Sequence, residues 1–453
     1  MKILLVSNGF PPSGQWGTEF YTHQLATGLL QSGDEVFVFH PLRDSSRARF
    51  SIRRETRYGV KVIEIANNGD RRKNFADSYR CEGIERAFEQ LLEEECPEVV
   101  HFMHLFWGLS VRLPEIAQRY GARTVVTPTD FGLVCHRGQL VDWRMRNCTG
   151  QVTATDCARC VREPGEWDLA PARRRAQSAL VNGIAMLGGL ARVVTREEIE
   201  ERQQAVREAT RAVDHWIFPT QTLQSELRVR GIQPDAATQL YYGLDESEYQ
   251  GAREALGSSC TRFVYMSQYM PHKGLSCLME ACRLLQSRLP ESVAEWSVDL
   301  YGNGTGARHK RYASEILGSP LPRRVTDHGP FEPLRAPEIL ASTDCVLVPS
   351  EWRENAPLTV LQARAGGVPV IASDMPGISE IVEHGKHGLL FPAGDARALA
   401  AAMGRVIAGE LPVYRPSPVI PWGEHIKAVR ATYRGADLEL QPESALDLEL
   451  QAK

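Results

Sequence analysis

The sequence predicts an α/β protein built from two doubly wound parallel-sheet domains. Three observations carry that prediction. Short apolar runs alternate with helical patterns through both halves of the chain. At 453 residues the chain exceeds what a single core usually serves. A polar, glycine-bearing stretch at residues 243–259 separates the halves as a linker would. The alternation is densest at residues 348–395, VPSEWRENAPLTVLQARAGGVPVIASDMPGISEIVEHGKHGLLFPAGD. It reads as strand, polar loop, helix, strand, glycine-containing turn, short helix and strand, and the chemistry of such a sheet belongs in loops at the strands' carboxyl ends.

Taken in order, residues 2–7 form an apolar strand, and residues 8–17 a turn-rich loop with Gly14 and Gly17. Thr18 then opens a helix with Glu19 in its first turn, Phe20, Leu25, Leu29 and Leu30 on its apolar face, and Gly33 as its stop. Residues 35–40 are the second strand, so the glycine-bearing loop lies at a helix N-terminus, where free N–H groups and the dipole favour an anion. A strand at 61–65, a charged helix at 83–95, a strand at 99–102, a helix at 109–120 and a strand at 123–127 continue the rhythm. From 130 to about 190 it breaks, and a loop this long inside an α/β domain has its own stabilisation or a function. A helix at 196–213, a strand at 215–218 and a helix at 220–230 resume it.

The second half repeats the scheme. Strands at 262–266, 296–301, 325–328 and 344–348 alternate with helices at 275–286, 308–317 and 336–340. Residues 416–421 break the chain before a helix at 424–434, and the acidic end, low in aromatics, is expected to fray.

Composition narrows the function. A hydrophobic fraction of 43% and a charged fraction of 24% are ordinary for a globular protein, and a formal net charge of −4 argues against a nucleic-acid partner. The N-terminal apolar run is too short for a signal-peptide core, and the longest weakly polar stretch, 179–190, falls short of the roughly 20 residues a membrane helix needs. The expectation is a cytoplasmic protein whose ten cysteines are reduced thiols or metal ligands.

A linked set of motifs sharpens this. NGFPPSGQWGTE stands at 8–19, PHKG at 271–274, YGNG at 301–304, HG at 328–329, PSEWRENAPL at 349–358, and PVIASDMPGISEIVEHGKHGLLF at 369–391. Each is weak alone; their order and spacing resemble a GT-B glycosyltransferase of the large retaining family 4. The resemblance covers nearly the whole chain except the cysteine segment. It implies two Rossmann-like domains facing a cleft. Residues 1–243 would form an acceptor domain with a cysteine-rich insertion at about 131–190, and 260–412 a nucleotide-sugar domain. A helix at 422–434 would pack back on the N-terminal domain, and 435–453 would be a flexible tail. The hinge would be 243–259 and the crossing at 416–421.

The resemblance also implies site residues. Sugar transfer from a nucleotide develops positive charge at the anomeric carbon and negative charge on the departing diphosphate, so cations and oriented N–H groups at the diphosphate promote it. Lys273 matches the family lysine that contacts the diphosphate. Five residues earlier, where the family usually has arginine, stands Gln268, which donates hydrogen bonds without charge. Glu354 matches the first glutamate of the family's E-x7-E, facing the donor sugar; a carboxylate accepts two hydroxyl bonds and offsets oxocarbenium charge. Glu351 competes for that role, but the register of Pro349 and Pro357 favours Glu354. The second family glutamate, the ribose ligand, falls on Gln362. Gly17, Asn355, Ala356 and Leu358 complete the expected donor site. In the acceptor domain the family's histidine before Asp130 is replaced by Thr129, while His101, His104 and Asp130, at strand ends, could touch acceptor or donor. Members of the family transfer without a catalytic metal, and no DxD motif stands here.

Cys135, Cys148, Cys157 and Cys160 follow C-x12-C-x8-C-x2-C, a spacing that suits one structural zinc, with free or disulfide-prone thiols and an iron–sulfur or redox site as alternatives. Arg173, Arg174 and Arg175 beside 180–190 suggest either a solvated helix face or a peripheral contact at the inner face of the membrane. The leading expectation is a retaining transferase using a nucleotide-sugar donor and a saccharide or lipid-linked acceptor, in cell-surface polysaccharide or glycoconjugate synthesis. Gln268, Thr129 and Gln362 keep open a degenerate member that binds nucleotide or glycan without turnover. A GT-B epimerase or phosphorylase is a third reading, disfavoured by the Glu354 loop.

Overall fold

The computed structural model describes residues 1–14, 16–68, 74–150, 152–163, 179–180, 194–249, 260–288, 295–304, 306–318, 320–410 and 419–435. The arginine cluster at 173–175 with most of the apolar run after it, much of the expected linker and most of the expected tail lie outside the described residues.

Both halves are parallel-sheet α/β units, as the alternation predicts. The first contains β1 (Lys2–Val6), β2 (Glu35–Leu42), β3 (Ile52–Arg57), β4 (Val60–Ala66), β5 (Val99–Phe102), β6 (Arg123–Val126), β7 (His215–Phe218) and β8 (Ala237–Gln239), in the order β3-β4-β2-β1-β5-β6-β7-β8. Every pair is parallel except β3 with β4. The second sheet is wholly parallel and contains β9 (Cys260–Met266), β10 (Glu295–Tyr301), β11 (Val325–Gly329), β12 (Cys345–Val348), β13 (Val370–Ser373) and β14 (Gly388–Phe391), ordered β11-β10-β9-β12-β13-β14. Central strands such as β1 and β12 are apolar and buried throughout or nearly so, because helices cover both faces of a doubly wound sheet.

Each sheet reverses its winding beside its first strand, and ligands of such sheets lie outside the carboxyl ends at that switch point. In the first sheet the point falls between β1 and β5, and in the second between β9 and β12. The β1 exit leads to the glycine loop, the β9 exit to Lys273 and the β12 exit to Glu354.

Several elements escape the sequence pattern, β8 and the helix Ala396–Ile407 among them. β3 is a charged edge strand, IRRETR, whose arginines read as loop. Residues 154–162 form a helix started by a capping box, in which the Thr153 hydroxyl accepts from the Asp156 N–H and the Asp156 carboxylate from the Thr153 N–H. The short helix expected within 374–387 is instead a series of turns, because Pro376 is followed by Gly377 at φ 84°.

The helix Trp422–Tyr433 packs on the first unit. His425 Nε2 and the Tyr21 hydroxyl are 3.0 Å apart, and Arg430 Nε lies 2.8 Å from Asp34. A Cβ on Gly28 would stand 2.7 Å from Ile426 Cδ1, so the helix crossing needs the glycine. One buried apolar cluster joins the halves, containing Leu25 and Leu244 with Val264 and Val360. Among the described residues no helix is long and apolar enough to cross a membrane.

Candidate functional site

The carboxyl end of β9 runs through Gln268, half-buried there, into a single 3-10 turn, Pro271–Lys273. Gly274 follows at φ 73°, and a Cβ there would lie 1.7 Å from the Pro349 carbonyl oxygen. The lysine turn and the β12 exit therefore touch backbone to backbone, which only glycine permits. Lys273 Nζ consequently reaches the Glu354 carboxylate, at 2.7 and 3.0 Å from its two oxygens. It also sits 4.9 Å above the Trp352 ring, whose face attracts a cation.

Glu354 is held on three further sides. The Ser350 hydroxyl donates to Oε1 at 2.6 Å, and the Glu354 N–H donates to the Pro376 carbonyl at 3.1 Å. A Cβ on Gly377 would lie 1.9 Å from the Glu354 carbonyl oxygen. His272 is buried edge-on to Trp352, 4.8 Å between centroids, and burial and then the nearby Lys273 hold it well below the usual histidine range, so it is neutral. Glu351 points elsewhere: its side chain lies near Gly394, and burial raises its pKa.

Beyond Glu354 the backbone is strained, with Ala356 at φ 47° and fully buried. Pro357 precedes the helix Leu358–Ala365, and Thr359 donates to the Met266 carbonyl at 3.1 Å, tying that helix to the β9 exit. Gly17 faces this helix start, with Leu358 Cδ1 3.8 Å from where its Cβ would be. Gln362 is buried and hydrogen-bonds the Tyr249 hydroxyl.

Opposite stands the first unit's loop cluster. Glu19 is buried beneath the glycine loop; Cβ atoms on Gly9 and Gly14 would lie 3.0 and 2.6 Å from its Cγ, and burial raises its pKa. Thr18 donates to the Thr129 hydroxyl at 2.9 Å, and Thr129 donates to the Met103 carbonyl at 3.2 Å. His104 and Asp130 form a pair. The Phe106 N–H donates to His104 Nδ1 at 3.1 Å, which places the ring proton on Nε2, and Nε2 lies 3.1 Å from Asp130 Oδ2. Burial pushes the Asp130 carboxyl up, but His104, the Gly132 N–H and the Trp107 indole outweigh it and leave its pKa below the usual value. Trp107 is one of the exposed large apolar side chains.

His101 does not join this cluster. It is fully buried, with Nδ1 2.7 Å from the Tyr433 hydroxyl and Nε2 2.7 Å from the Thr127 hydroxyl, and burial lowers its pKa to about 3. The strand-end position suggested cleft access; the helix Trp422–Tyr433 closes it off.

Of the four thiols, Cys157 and Cys160 lie on the helix Ala154–Arg162, and Cys135 and Cys148 on the loops before it. Burial and then the neighbouring thiols push Cys148 and Cys157 up to about 12, while Arg137 Nε donates to Cys160 Sγ at 3.2 Å. Among the described residues no three His, Cys, Asp or Glu side chains are grouped so that they could hold a metal ion.

Sequence reasoning missed the residues that brace the Glu354 loop from the other half: Asn147, Glu226 and Arg230. Their signal is tertiary, because each lies more than 120 residues from the loop it touches or bonds through a residue that does.

Comparisons with known proteins match this arrangement. Residues 260–409 match the family model described as glycosyl transferases group 1, and residues 17–184 that of the glycosyl transferase 4-like domain. An amylovoran biosynthesis glycosyltransferase of Erwinia amylovora is 31% identical over 157 residues, 34% of this chain. The match spans 37% of that relative, little more than a third of its length. Among solved structures, a sucrose-phosphate synthase from Thermosynechococcus elongatus superimposes with a TM-score of 0.66 at 19% identity, covering 96% of this chain and 98% of its own. The Anabaena protein HepE, solved in complex with UDP, gives 0.57 at 15% identity, covering 96% and 95%. At such identities the two structures speak for the fold.

Proposed function

The chain belongs to the group 1 glycosyltransferases of GT-B fold, and on that premise we propose that it transfers a sugar from a nucleotide-sugar donor to a saccharide or lipid-linked acceptor with retention of configuration. The observation that carries the reading is the Lys273 to Glu354 pair at the switch point of the second sheet. A cation there stabilises a departing diphosphate, and a carboxylate beside it accepts the donor sugar's hydroxyls and offsets charge at the anomeric carbon. Binding diphosphate requires Lys273 to divide its three N–H donors between phosphate and Glu354. Asp130, held across from this pair by His104, the Gly132 N–H and the Trp107 indole, suits an acceptor's hydroxyl as a hydrogen-bond acceptor. No residue in this scheme requires a catalytic metal.

Cell-surface polysaccharide or glycoconjugate synthesis is the proposed setting, supported by the amylovoran biosynthesis role of the Erwinia relative. A lipid-linked acceptor would bring the protein to the inner face of the membrane. The experiment is a thermal-shift screen against UDP, GDP, ADP and their sugars, followed by hydrolysis and transfer assays with wild type and Glu354→Ala. Loss of turnover in the variant supports the reading; equal turnover sinks it.

Gln362 favours a second reading. Its amide is engaged by Tyr249 where a ribose ligand would be expected, which suits a protein that binds nucleotide or glycan without turnover. Binding without any hydrolysis or transfer by wild type would select it.

The four thiols carry a separate proposal, that Cys135, Cys148, Cys157 and Cys160 take up one structural zinc. The donor set fits the ion and the four thiols neighbour one another, but uptake would have to draw them into ligand distance, since no three of the described side chains form a ready site. Metal analysis of the purified protein decides it: zinc in wild type that is lost in Cys157→Ser supports the site, and equal metal in both overturns it.

A further inference from the structure

The loop from Ser350 to Ala356 alternates in what it faces. Glu354 turns to Lys273 with the Ser350 hydroxyl on its carboxylate, and Trp352 is wedged between His272 of its own half and Phe131 of the other, 6.5 Å between the Trp352 and Phe131 centroids. The intervening residues all bond across to the first unit. Asn147 Nδ2 donates to the Glu351 carbonyl at 2.9 Å. Arg353 Nη1 donates to the Cys148 carbonyl at 3.3 Å, and its Nε lies 2.9 Å from Glu226. Asn355 Nδ2 donates to the Pro128 carbonyl at 3.2 Å and its Oδ1 accepts from the Thr220 hydroxyl at 3.0 Å.

The far side of these contacts is itself braced. Asn147 ends a tight hairpin that pairs with Val141, and its turn is held by Arg146 on Asp142 at 2.7 Å. Arg230 pairs with Glu226 and donates to the same Cys148 carbonyl at 3.3 Å. Arg353, Glu226 and Arg230 are each at most 20% exposed, so this network is shielded from the solvent that makes surface ion pairs weak.

We propose that Asn147 and the Arg230 to Glu226 to Arg353 network are a latch through which the acceptor domain holds the donor loop in its working shape, making Asn147 and Glu226 positioning residues for Glu354. A loop with a left-handed alanine has no intrinsic preference for this conformation, and the bonds of residues 351, 353 and 355 supply what the local sequence does not. Parting the two units breaks all of them together. Glu354 is then placed for catalysis only while the units are together. The inference rests on the reading of Glu354 as the donor-sugar carboxylate, but its test does not.

That test is hydrogen exchange on the ligand-free full chain. Two loop amides bond within their own half, Glu351 N–H to the His272 carbonyl at 2.8 Å and Glu354 N–H to the Pro376 carbonyl at 3.1 Å. They report loop opening without touching the latch. In Asn147→Ala/Glu226→Gln, and to a lesser degree in Asn147→Ala alone, both should exchange faster by about tenfold. Peptides from β9 and β12 should be unchanged. Loop exchange equal to wild type in either folded variant overturns the latch. Once a donor is identified, the same variants should lower kcat with little change in donor KM, and an unchanged kcat would also overturn it. Turnover retained in Glu354→Ala would instead defeat the donor-sugar reading and leave the exchange result standing.

Discussion

Lys273 Nζ lies 2.7 and 3.0 Å from the two carboxylate oxygens of Glu354, so in the ligand-free protein the cation expected to meet diphosphate is already paired. The pairing divides the consequences of substitution. Removing the carboxylate frees the lysine, and Glu354→Gln should bind a nucleoside diphosphate tighter than wild type, by about tenfold, while losing sugar transfer. Lys273→Ala should weaken the same binding. Calorimetry with whichever of UDP, GDP or ADP raises the melting temperature checks both. Weaker binding in Glu354→Gln would show that the carboxylate helps hold the nucleotide instead of competing with it.

Two glycines set the geometry of that pair. Gly274→Ala would force a Cβ to within 1.7 Å of the Pro349 carbonyl, and Gly377→Ala to within 1.9 Å of the Glu354 carbonyl, both at φ values that disfavour a side chain. Each should cost roughly 2–4 kcal/mol of stability through the displaced backbone. Gly409→Ala is the control, since it has a similar φ of 74° with nothing nearby. It should cost only about 1 kcal/mol. Equal melting temperatures for the three variants would remove the argument.

How far this site could be read from sequence depends on what fixed each part. Lys273 and Glu354 were legible through the motifs that carry the family resemblance, and their places just past the β9 and β12 exits agree with it. Gln362 was legible by position, but its bond to Tyr249 was not, because Tyr249 comes from the segment joining the halves. His101 read as a cleft residue until a helix more than 300 residues away covered it. β3 was missed because its charges face water at a sheet edge, where no apolar alternation is required. Asn147 carried no signal at all: its importance lies in a carbonyl 204 positions away.

Buried histidines set the acid limit of the fold. Burial lowers His101, beneath the helix Trp422–Tyr433, to about 3 and His425, on the buried face of that helix, to about 4. An unfolded histidine titrates near 6.5, so between there and the folded values the unfolded chain binds more protons and stability falls as pH falls. The contribution is whole above about pH 6.5 and declines by up to about 1.4 kcal/mol per pH unit for each histidine. Melting temperatures from pH 7 to 4.5 should drop less steeply in His425→Gln than in wild type, although the variant starts lower by the loss of the Tyr21 bond. Parallel curves would refute the assignment.

Gln362 sits where a nucleotide's ribose would be expected, yet it is bonded to Tyr249, so the two residues offer a direct test of what the glutamine does. Tyr249→Phe releases the amide without opening a large cavity, and Gln362→Glu supplies a carboxylate that accepts from Tyr249 and keeps lone pairs for ribose hydroxyls. If the position faces ribose, Tyr249→Phe should raise affinity for the responding nucleoside diphosphate a few-fold. Gln362→Glu should raise it by about tenfold, the difference between a neutral and a charge-assisted bond. The corresponding 2′-deoxynucleotide supplies the control, because it lacks a hydroxyl the carboxylate would hold and should gain less from Gln362→Glu. Should neither substitution change affinity, Gln362 serves the joining segment alone, and nucleotide recognition has to come from Lys273 and the loops at the strand exits.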